Sequence, residues 1–268
     1  MIEKETKVKE IIQSYKSAIV AYSGGVDSSL LLYLTYTYLG KENVLALIAD
    51  SETYPEREKD FAINFCKKYD INYKIIHTEE LKDDRFRENP VNRCYYCKSH
   101  LFEDALKIKE NMGFDIVFEG SNVDDLEDFR PGRKAVEEKR IVSPLLMAGL
   151  TKIEIRELSQ KYNLPTYNKP SKACLASRIP YGQTITQEIL QKIDRAESFL
   201  ENLGFATVRV RVHNSLARIE VNKSDFEKIL EKREFIVKHL LELGFKYVTL
   251  DLEGFSSGSM NRVLGDGR

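Results

Sequence analysis

The segment "AIVAYSGGVDSSLLLYLTYTYLG", residues 18–40, joins a short apolar run to an apolar stretch of helical length through a turn with two glycines. This order predicts a buried strand, a tight turn and a helix that starts near Asp27. Such a turn leaves backbone N–H groups unpaired at a helix N-terminus, where the helix dipole also favours negative charge. Gly24 and Gly25 let an anion come close to the backbone. The segment therefore predicts a strand, turn and helix that bind a phosphate-like anion.

The polar side chains of the same turn indicate which kind of anion it binds. Ser23, Ser28 and Ser29 can donate hydroxyl hydrogen bonds to phosphate oxygens. Asp27 would repel a phosphate unless a divalent cation lay between them, so it predicts Mg²⁺ shared with a nucleotide. The turn is not a Walker motif, because no Gly-Lys-Ser/Thr follows the glycines. A simpler interpretation is a tight turn in which Asp27 or Ser28 only caps the helix.

Apolar runs alternate with amphipathic segments of helical period through the first part of the chain. This alternation predicts an α/β fold with a doubly wound parallel sheet, in which ligands bind at the carboxyl ends of the strands. The expected strands are 18–23, 43–50, 72–78 and 115–121, with 139–145 as a candidate fifth, and the expected helices are 27–39, 55–69, 98–111 and 151–162.

The pattern changes after residue 168, where a loop leads into a smaller α+β domain. Its expected elements are helix 186–203, strands 206–213 and 216–222, helix 223–243 and strand 247–253. We therefore expect two domains, residues 1–168 and 169–268. The C-terminal domain is expected to contribute to substrate binding or to the assembly of a homo-oligomer.

Composition restricts the class of protein. The 268 residues are 42% hydrophobic, enough for one large domain or for a large and a small one. No apolar run reaches the ~18 residues that cross a bilayer, and the charged opening "MIEKETKVKE" lacks the apolar core of a signal peptide. A net charge of −1 gives no overall basic field for nucleic acid. We expect a cytoplasmic protein with a small-molecule substrate and with neither a membrane nor a nucleic-acid partner.

Three of the four cysteines divide between the core and a C-x-x-C pair. Cys66 falls on the apolar face of the predicted helix 55–69 and is expected in the core. Cys94 and Cys97 stand just before a predicted helix, so their thiols could bind one metal or be oxidised to one another. The alternative for this pair is two buried thiols packed with the neighbouring tyrosines.

The fourth cysteine, Cys174, lies in a loop beside Lys172 and Arg178. Basic neighbours favour the thiolate, which is the nucleophilic form. A structural role for Cys174 is the alternative, but this polar loop offers little apolar packing. We therefore expect Cys174 to take part in the chemistry.

Several motifs together resemble a known family. The string "SGGVDSS" resembles the SGGxDS signature of the PP-loop ATP pyrophosphatases. The strings "RCYYCK", "EGSNVDD", "RPGRKA", "CLASRIPYG" and "VTLDLEGFSSGSMNR" look like the LarE family of ATP-dependent sulfur transferases. The resemblance implies adenylation of pyridinium-3,5-biscarboxylic acid mononucleotide, release of pyrophosphate, and sulfur insertion to give a thiocarboxylate. Such steps build the organic part of the nickel-pincer nucleotide cofactor.

The resemblance also implies roles for the residues of the first loop and of the following strand ends. Asp50 is expected near the adenosine. Asn122 and Asp124 could help to hold Mg²⁺ or the nucleotide, unless their run is only a helix-capping loop. The residues expected to bind ATP are Ser23, Gly24, Gly25, Asp27, Ser28, Ser29, Asp50, Gly120, Asn122, Asp124, Arg130 and Arg133. Arg130 and Arg133 could grip a phosphate or carboxylate, or could be solvated surface residues.

The family resemblance leaves two sulfur sources open. In one branch the active-site cysteine is sacrificed and becomes dehydroalanine, and Cys174 matches its position. In another branch three cysteines hold a four-iron four-sulfur (4Fe-4S) cluster whose fourth iron can carry an extra sulfide. Cys94, Cys97 and Cys174 match that set. We predict the cluster, with a sacrificial Cys174 and a zinc site as alternatives.

The substrate would bring a phosphate and two carboxylates, so basic residues are candidates for binding it. They are Arg178, Arg209 and Arg211, with Ser177 beside them, and Arg178 is also expected to assist the chemistry at Cys174. Arg209 and Arg211 share one strand face, which a structural ladder with Glu220 explains as well. Three other functions remain open: a tRNA thiolase, which needs a basic surface, an ammonia-using amidating ligase, and a nucleotide-binding module without enzymatic activity.

Overall fold

The structure is a computed structural model that describes residues 2–126, 131–170, 172–256 and 258–264. The chain divides into two compact units. The first unit consists of Met1–Glu80 and Val91–Lys172, and the second of Leu81–Pro90 and Ala173–Arg268. The two-domain division expected from the sequence assigned residues 81–90 to the first part. In the structure Asn89 donates side-chain hydrogen bonds to the carbonyl oxygens of Ile179 and Pro180, within the second unit.

The first unit is built on a parallel sheet of the expected α/β type. Its strands are β1 (Ala18–Ala21), β2 (Val44–Asp50), β3 (Tyr73–His77) and β4 (Ile116–Phe118). They lie in the order β3-β2-β1-β4. The candidate fifth strand over 139–145 is reduced to one parallel bridge between Val142 and Phe118. A reason is Pro144, which lacks an amide hydrogen for the ladder and instead opens a short helix.

The helices begin and end close to the predicted bounds, with additions. In chain order they are α1 (Ile2–Gln13), α2 (Val26–Leu39), α3 (Glu56–Lys68), α4 (Asp84–Arg87), α5 (Arg93–Met112), α6 (Gly132–Glu138), α7 (Pro144–Met147), α8 (Lys152–Lys161), α9 (Gln187–Asn202), α10 (Phe226–Glu231) and α11 (Arg233–Glu242). Helix α8 starts with a capping box, in which Thr151 and Glu154 satisfy each other's backbone amides. Among the described residues, no helix is long and apolar enough to cross a membrane.

Apolar side chains cover both faces of the parallel sheet. One cluster joins α1, α2, α3 and α8 to the sheet and includes Val20, Leu30 and Ile155. A second cluster joins α5 and α6 to strand residues and includes Ile19, Phe102 and Ala135. Ile19 and Val20 are neighbours in β1, so they point to opposite faces. A sheet with helices packed on both faces is the doubly wound arrangement expected from the sequence.

The second unit contains a three-stranded sheet. Its strands are β5 (Val208–His213), β6 (Leu216–Val221) and β7 (Tyr247–Leu250), in that order. β5 and β6 are antiparallel, whereas β6 and β7 are parallel. Helix α9 packs against β5. The single helix expected over 223–243 is divided into α10 and α11, because Lys232 (φ −93°, ψ 7°) leaves helical geometry.

Candidate active site

The turn between β1 and α2 has hydroxyl groups that bond to each other and to the turn. The Ser23 backbone N–H donates to Ser28 Oγ at 3.3 Å, and the Ser23 and Ser28 hydroxyls are 3.1 Å apart. Ser28 Oγ also donates to the Gly25 carbonyl oxygen at 3.3 Å. Gly25 is the residue before the first turn of α2, so the first amides of that helix lie directly after it. These amides have no carbonyl partner within the helix, so the start of α2 has the backbone arrangement for which anion binding is predicted.

The backbone conformation of the loop favours a glycine at position 24. Gly24 has φ +65°, in the left-handed region that favours glycine. A Cβ there would lie 3.4 Å from the side chains of Ala62 and Phe61 on α3, which is an ordinary van der Waals contact. The requirement for glycine therefore comes from the backbone rather than from the space beside it.

Two residues expected at the nucleotide also support the conformation of the loop. Ser29 is fully buried, and its hydroxyl lies 3.3 Å from the Tyr22 hydroxyl. Gly120 follows β4, and a Cβ on it would lie 3.0 Å from the Ser28 backbone nitrogen. The position of Gly120 therefore lets the β4 loop pack against the start of α2.

Asp27 is held by two groups that follow other elements of the sheet. Its Oδ1 accepts a hydrogen bond from Asn122 Nδ2 at 3.2 Å, and its Oδ2 forms an ion pair with Lys152 Nζ. The side chains of Asp27 and Lys152 are 21% and 30% exposed, so a ligand can reach both of them. Lys152 is the first residue of α8 and was missed by the sequence analysis. This arrangement places a cation and a carboxylate together beside the anion-binding amides of α2.

The loop after β4 brings Asn122 and Asp124 to the same place. The Asp124 backbone N–H donates to Asn122 Oδ1 at 2.9 Å, and the Lys152 backbone N–H donates to the Asp124 carboxylate. Asn122 is buried, whereas Asp124 is exposed. Asp124 therefore caps the first turn of α8, which is the simpler alternative considered for this run. Asn122 remains in direct contact with Asp27.

Asp50 ends β2, at the carboxyl edge of the sheet where the nucleotide is expected. Its Oδ1 accepts from Lys59 Nζ at 2.8 Å, and its Oδ2 lies 3.0 Å from His77 Nδ1. The ammonium of Lys59 has its pKa raised by this hydrogen bond. Both oxygens of Asp50 therefore have basic partners, and an adenosine hydroxyl would have to share them.

Glu119 is a buried carboxylate at the end of β4 that the sequence analysis did not single out. It accepts hydrogen bonds from Ser143 Oγ and from Ser121 Oγ, the latter at 2.9 Å. Burial raises its pKa, but Lys98 at 3.4 Å and these hydroxyls outweigh burial and hold the pKa below its ordinary value. Glu119 is thus a fixed negative charge at the carboxyl edge of the sheet. Its contact with Lys98 ties this edge to α5.

The C-x-x-C pair lies in the first turns of α5, which begins at Arg93 rather than after the pair. Cys94 is exposed and Cys97 is half-buried, so the alternative of two buried thiols does not hold for Cys94. The Cys97 thiol donates to Glu80 Oε1 at 3.4 Å. Cys66 is in the core as predicted, and burial raises the pKa of its thiol to about 12.

The expected cluster ligands belong to different units. Cys94 and Cys97 are part of the first unit, and Cys174 is part of the second. Over the ranges that the structure describes, no three His, Cys, Asp or Glu side chains are gathered as a metal site. Cys174 is half-buried and directly precedes a short 3-10 helix, Leu175–Arg178.

Arg178 holds the segment that carries Cys174 from within the second unit. Its side chain is fully buried and forms a forked pair with Glu197, with both nitrogen-to-oxygen distances 2.8 Å. Its remaining nitrogen donates to the carbonyl oxygens of Ala173 (2.6 Å) and Cys174 (2.9 Å). This placement argues against the expected contact with substrate, because no surface of Arg178 is exposed. Arg178 is a positioning residue for the Cys174 segment.

The other basic residues expected at the substrate lie on β5. Arg211 forms a forked pair with Glu220, at 3.0 and 2.9 Å, and donates to the Ser177 carbonyl oxygen. The structural ladder with Glu220 is therefore present. Arg209 donates to the carbonyl oxygen of Val208, and burial, reinforced by the charge of Arg178, lowers its pKa to about 10.

The remaining residues predicted at the site are Ser177, Arg133 and Arg130. Ser177 is half-buried, and its Oγ accepts from Arg178 at 3.0 Å. Arg133 is half-exposed and pairs with Glu137 one helical turn away at 3.0 Å, as the surface alternative expects. Arg130 lies outside the described residues.

Comparison with known proteins finds relatives that match this chain over much of its length. A family model described as NAD synthase matches residues 3–115, the part that contains the loop and the first three strands. A pyridinium-3,5-bisthiocarboxylic acid mononucleotide synthase of Lactiplantibacillus plantarum is 36% identical over 261 residues, which cover 97% of this chain and 95% of that protein. An uncharacterised protein of a Synechocystis species is 39% identical over 97% of this chain and 98% of its own. A tRNA-specific 2-thiouridylase MnmA of Wolbachia pipientis is more distant, at 27% identity over 73% of this chain and 62% of its own.

The likeness to the synthase runs through both units, including the phosphate-binding loop and the Cys174 segment. The NAD synthase match is restricted to the nucleotide-binding part, as expected if that part is shared among enzymes with different second substrates. Taken with the geometry of the loop, these similarities show that the chain belongs to the LarE family of ATP-dependent sulfur transferases, within the PP-loop ATP pyrophosphatases.

Proposed function

We propose that the protein uses MgATP to adenylate pyridinium-3,5-biscarboxylic acid mononucleotide and then replaces the activated oxygen by sulfur. The product class is that named for the Lactiplantibacillus plantarum relative. The observation that carries the proposal is the start of α2, where unpaired amides, Asp27 and Lys152 lie together. These groups supply what binding of a triphosphate requires, which is hydrogen-bond donors, a metal ligand and a positively charged side chain.

Adenylation requires that charge be stabilised where pyrophosphate leaves. A substrate carboxylate oxygen attacks the α-phosphorus, the bond to the bridging oxygen breaks, and pyrophosphate departs with the added negative charge. The α2 amides and Lys152 Nζ are placed to stabilise that charge, as fixed donors do in other phosphoryl transfers. Asp27, whose carboxylate is oriented by Asn122 Nδ2, would hold Mg²⁺, which supplies further charge neutralisation when bound.

The sulfur step is a substitution at the activated carboxyl carbon. A sulfur nucleophile attacks that carbon, the bond to the AMP oxygen breaks, and AMP leaves because its phosphate is the better leaving group. If Cys174 is the donor, its thiolate forms a thioester, and loss of its Cα proton with cleavage of the Cβ–S bond leaves dehydroalanine and a thiocarboxylate. Arg178 supports this step by fixing the backbone around Cys174.

The cluster alternative is the one that the cysteine pattern favours. Cys94 and Cys97 are three residues apart on α5, so their thiols lie on the same side of that helix and fit two ligands of one cluster. Cys174 would be the third ligand. A 4Fe-4S cluster held by three thiolates would supply one open iron for the extra sulfide that the acyl-adenylate needs.

Arg209 and Arg211 are buried but, unlike Arg178, keep a small exposed surface of 5% each, and we propose that they favour an anionic substrate in the second unit. The lowered pKa of Arg209 has burial as its largest cause and repulsion from Arg178 as the next. A phosphate or carboxylate beside Arg209 would oppose both effects, because opposite charge stabilises the charged form of a titratable group. Substrate binding would thus relieve an existing electrostatic cost.

The test combines pyrophosphate release with product mass. Anaerobically purified protein is mixed with MgATP and the pyridinium substrate, and the expected result is substrate-dependent pyrophosphate release with a thiocarboxylate product. Unmodified tRNA replaces the substrate in a parallel reaction, and thiolated tRNA there would contradict the proposal. Iron and sulfide analysis decides the sulfur source: an iron-free protein whose Cys174 peptide loses about 34 mass units, one H₂S, after turnover would identify Cys174 as the donor.

A further inference from the structure

Two side chains hold the carbonyl groups of the nucleotide loop. Tyr54 Oη donates to the Ser23 carbonyl oxygen at 2.5 Å, and Lys169 Nζ donates to the Gly24 carbonyl oxygen at 3.0 Å. In a trans peptide, the C=O of one residue and the N–H of the next lie in one plane and point in opposite directions. A donor on the Gly24 carbonyl therefore fixes the direction of the Gly25 N–H, at the entrance to α2.

The ammonium of Lys169 is itself held in place. Its Nζ lies 2.7 Å from Glu58 Oε2 and 3.5 Å from the centre of the Phe61 ring, both on α3. The side chains of Lys169 and Glu58 are 14% and 8% exposed, so the pair is largely shielded from solvent. Burial lowers the pKa of Lys169, and the hydrogen bond to Glu58 opposes that effect. The Lys169 ammonium, which is costly to bury, also contacts the loop through the Gly24 carbonyl oxygen.

The loop needs such an anchor because of its composition. Gly24 and Gly25 have no side chains to restrict rotation about their backbone bonds, so the peptide between them can turn over at little cost. A turned peptide would present a carbonyl oxygen, rather than an amide, to the phosphates. Holding the peptide in the binding orientation before the nucleotide arrives removes an ordering cost from binding.

We propose that Lys169 is a positioning residue of the nucleotide loop, which fixes the peptide between Gly24 and Gly25 so that its amide faces the ATP phosphates. The inference rests on the proposed use of ATP at this loop. Glu58 is its partner, because it holds the Lys169 ammonium. Glu58 also lies 3.4 Å from Lys172 Nζ, so one carboxylate fixes both lysines of the segment that leads to Cys174 in the sequence.

The first measurement is the affinity of the full-length protein for MgATP by titration calorimetry, without the pyridinium substrate. Lys169→Met keeps the length of the side chain and removes its donor, and we expect the dissociation constant to rise about tenfold, ~1.4 kcal/mol. Lys161→Met is a matched control, since Lys161 also pairs with a carboxylate (Glu5) and lies near an aromatic ring (Tyr162). Within the described residues, its ammonium makes no hydrogen bond to the loop. This variant should bind MgATP as the unsubstituted protein does.

A second variant separates positioning from stability. Lys169→Met leaves Glu58 with one fewer partner and lowers stability, whereas Glu58→Gln with Lys169→Met removes both charges together. We expect this double variant to regain much of its thermal stability and still to bind MgATP about tenfold more weakly. Unchanged affinity in Lys169→Met, or full recovery of affinity in the double variant, would overturn the inference. If the unsubstituted protein bound no MgATP, the proposed function itself would fail.

Discussion

The buried ion pair between Arg178 and Glu197 should maintain the conformation of the segment around Cys174. Arg178→Met removes every hydrogen bond of a fully buried guanidinium and leaves the Glu197 carboxylate buried, with the Val210 amide at 2.9 Å as a remaining donor. Removal of one partner from a buried ion pair costs about 3–5 kcal/mol. For a unit of this size that loss should lower the unfolding temperature by roughly 10 °C or more.

The assay is a double-mutant cycle followed by differential scanning calorimetry. Arg178→Met and Glu197→Leu should each destabilise the protein, and the combination should be more stable than either, because both charges of the buried pair are removed together. Alkylation of Cys174, followed by mass spectrometry of its peptide, should be faster in Arg178→Met, since the Ala173 and Cys174 carbonyls lose their donor. Additive losses, or an Arg178→Met protein that unfolds at the original temperature, would refute the reasoning.

The same pair predicts a pH dependence with a definite sign. Burial alone would raise the pKa of Glu197, but Arg178 and the Val210 amide hold it below its ordinary value. A carboxyl group whose pKa is lower in the folded state contributes stability above its unfolded pKa, about 4.3, and loses it as the pH falls through the folded pKa. The unsubstituted protein should therefore lose more stability than the double variant on acidification below about pH 4.

Three further substitutions test the candidate site. Gly24→Ala should cost ~1–2 kcal/mol for a left-handed backbone, and Gly113→Ala, also at positive φ but in open space, should show a similar loss in urea unfolding. Lys152→Met should weaken MgATP binding about tenfold in calorimetry, with little change in thermal stability, because the capping box of α8 remains. Cys174→Ala should still release pyrophosphate but form no thiocarboxylate detectable by mass spectrometry. Thiocarboxylate formed in full would exclude Cys174 from sulfur delivery, and an amide product would support an amidating ligase.

The strand, turn and helix could be predicted from sequence because their signals are local. Apolar period and the paired glycines lie within residues 18–40, and the structure keeps that order with α2 starting at Val26. Lys152 and Lys169 were missed because their loop contacts join residues 125 and 145 positions apart. A lysine in a polar stretch carries no local sign of such a contact. Only the packing of α8 and its following segment beside the loop reveals it.

The role of Arg178 was misjudged for a related reason. An arginine beside a loop cysteine suggests anion binding, but its partner Glu197 is on α9, 19 positions later. Burial of both residues depends on how α9 packs against β5. Helix α1 was also missed, because half of its residues are charged and it buries only Val8 and Ile12. In each case tertiary packing, rather than local propensity, determined the outcome.

The ion pair between Asp27 and Lys152 has a consequence for the order of events at the loop. Because Lys152 already pairs with the Asp27 carboxylate, free Mg²⁺ would gain little binding free energy by displacing it. When the nucleotide already carries Mg²⁺, its phosphates would pair with Lys152 while the metal binds Asp27. Each of these charges would then keep a partner of opposite sign. If the loop binds MgATP as proposed, the metal and the nucleotide would therefore enter as one species rather than one after the other.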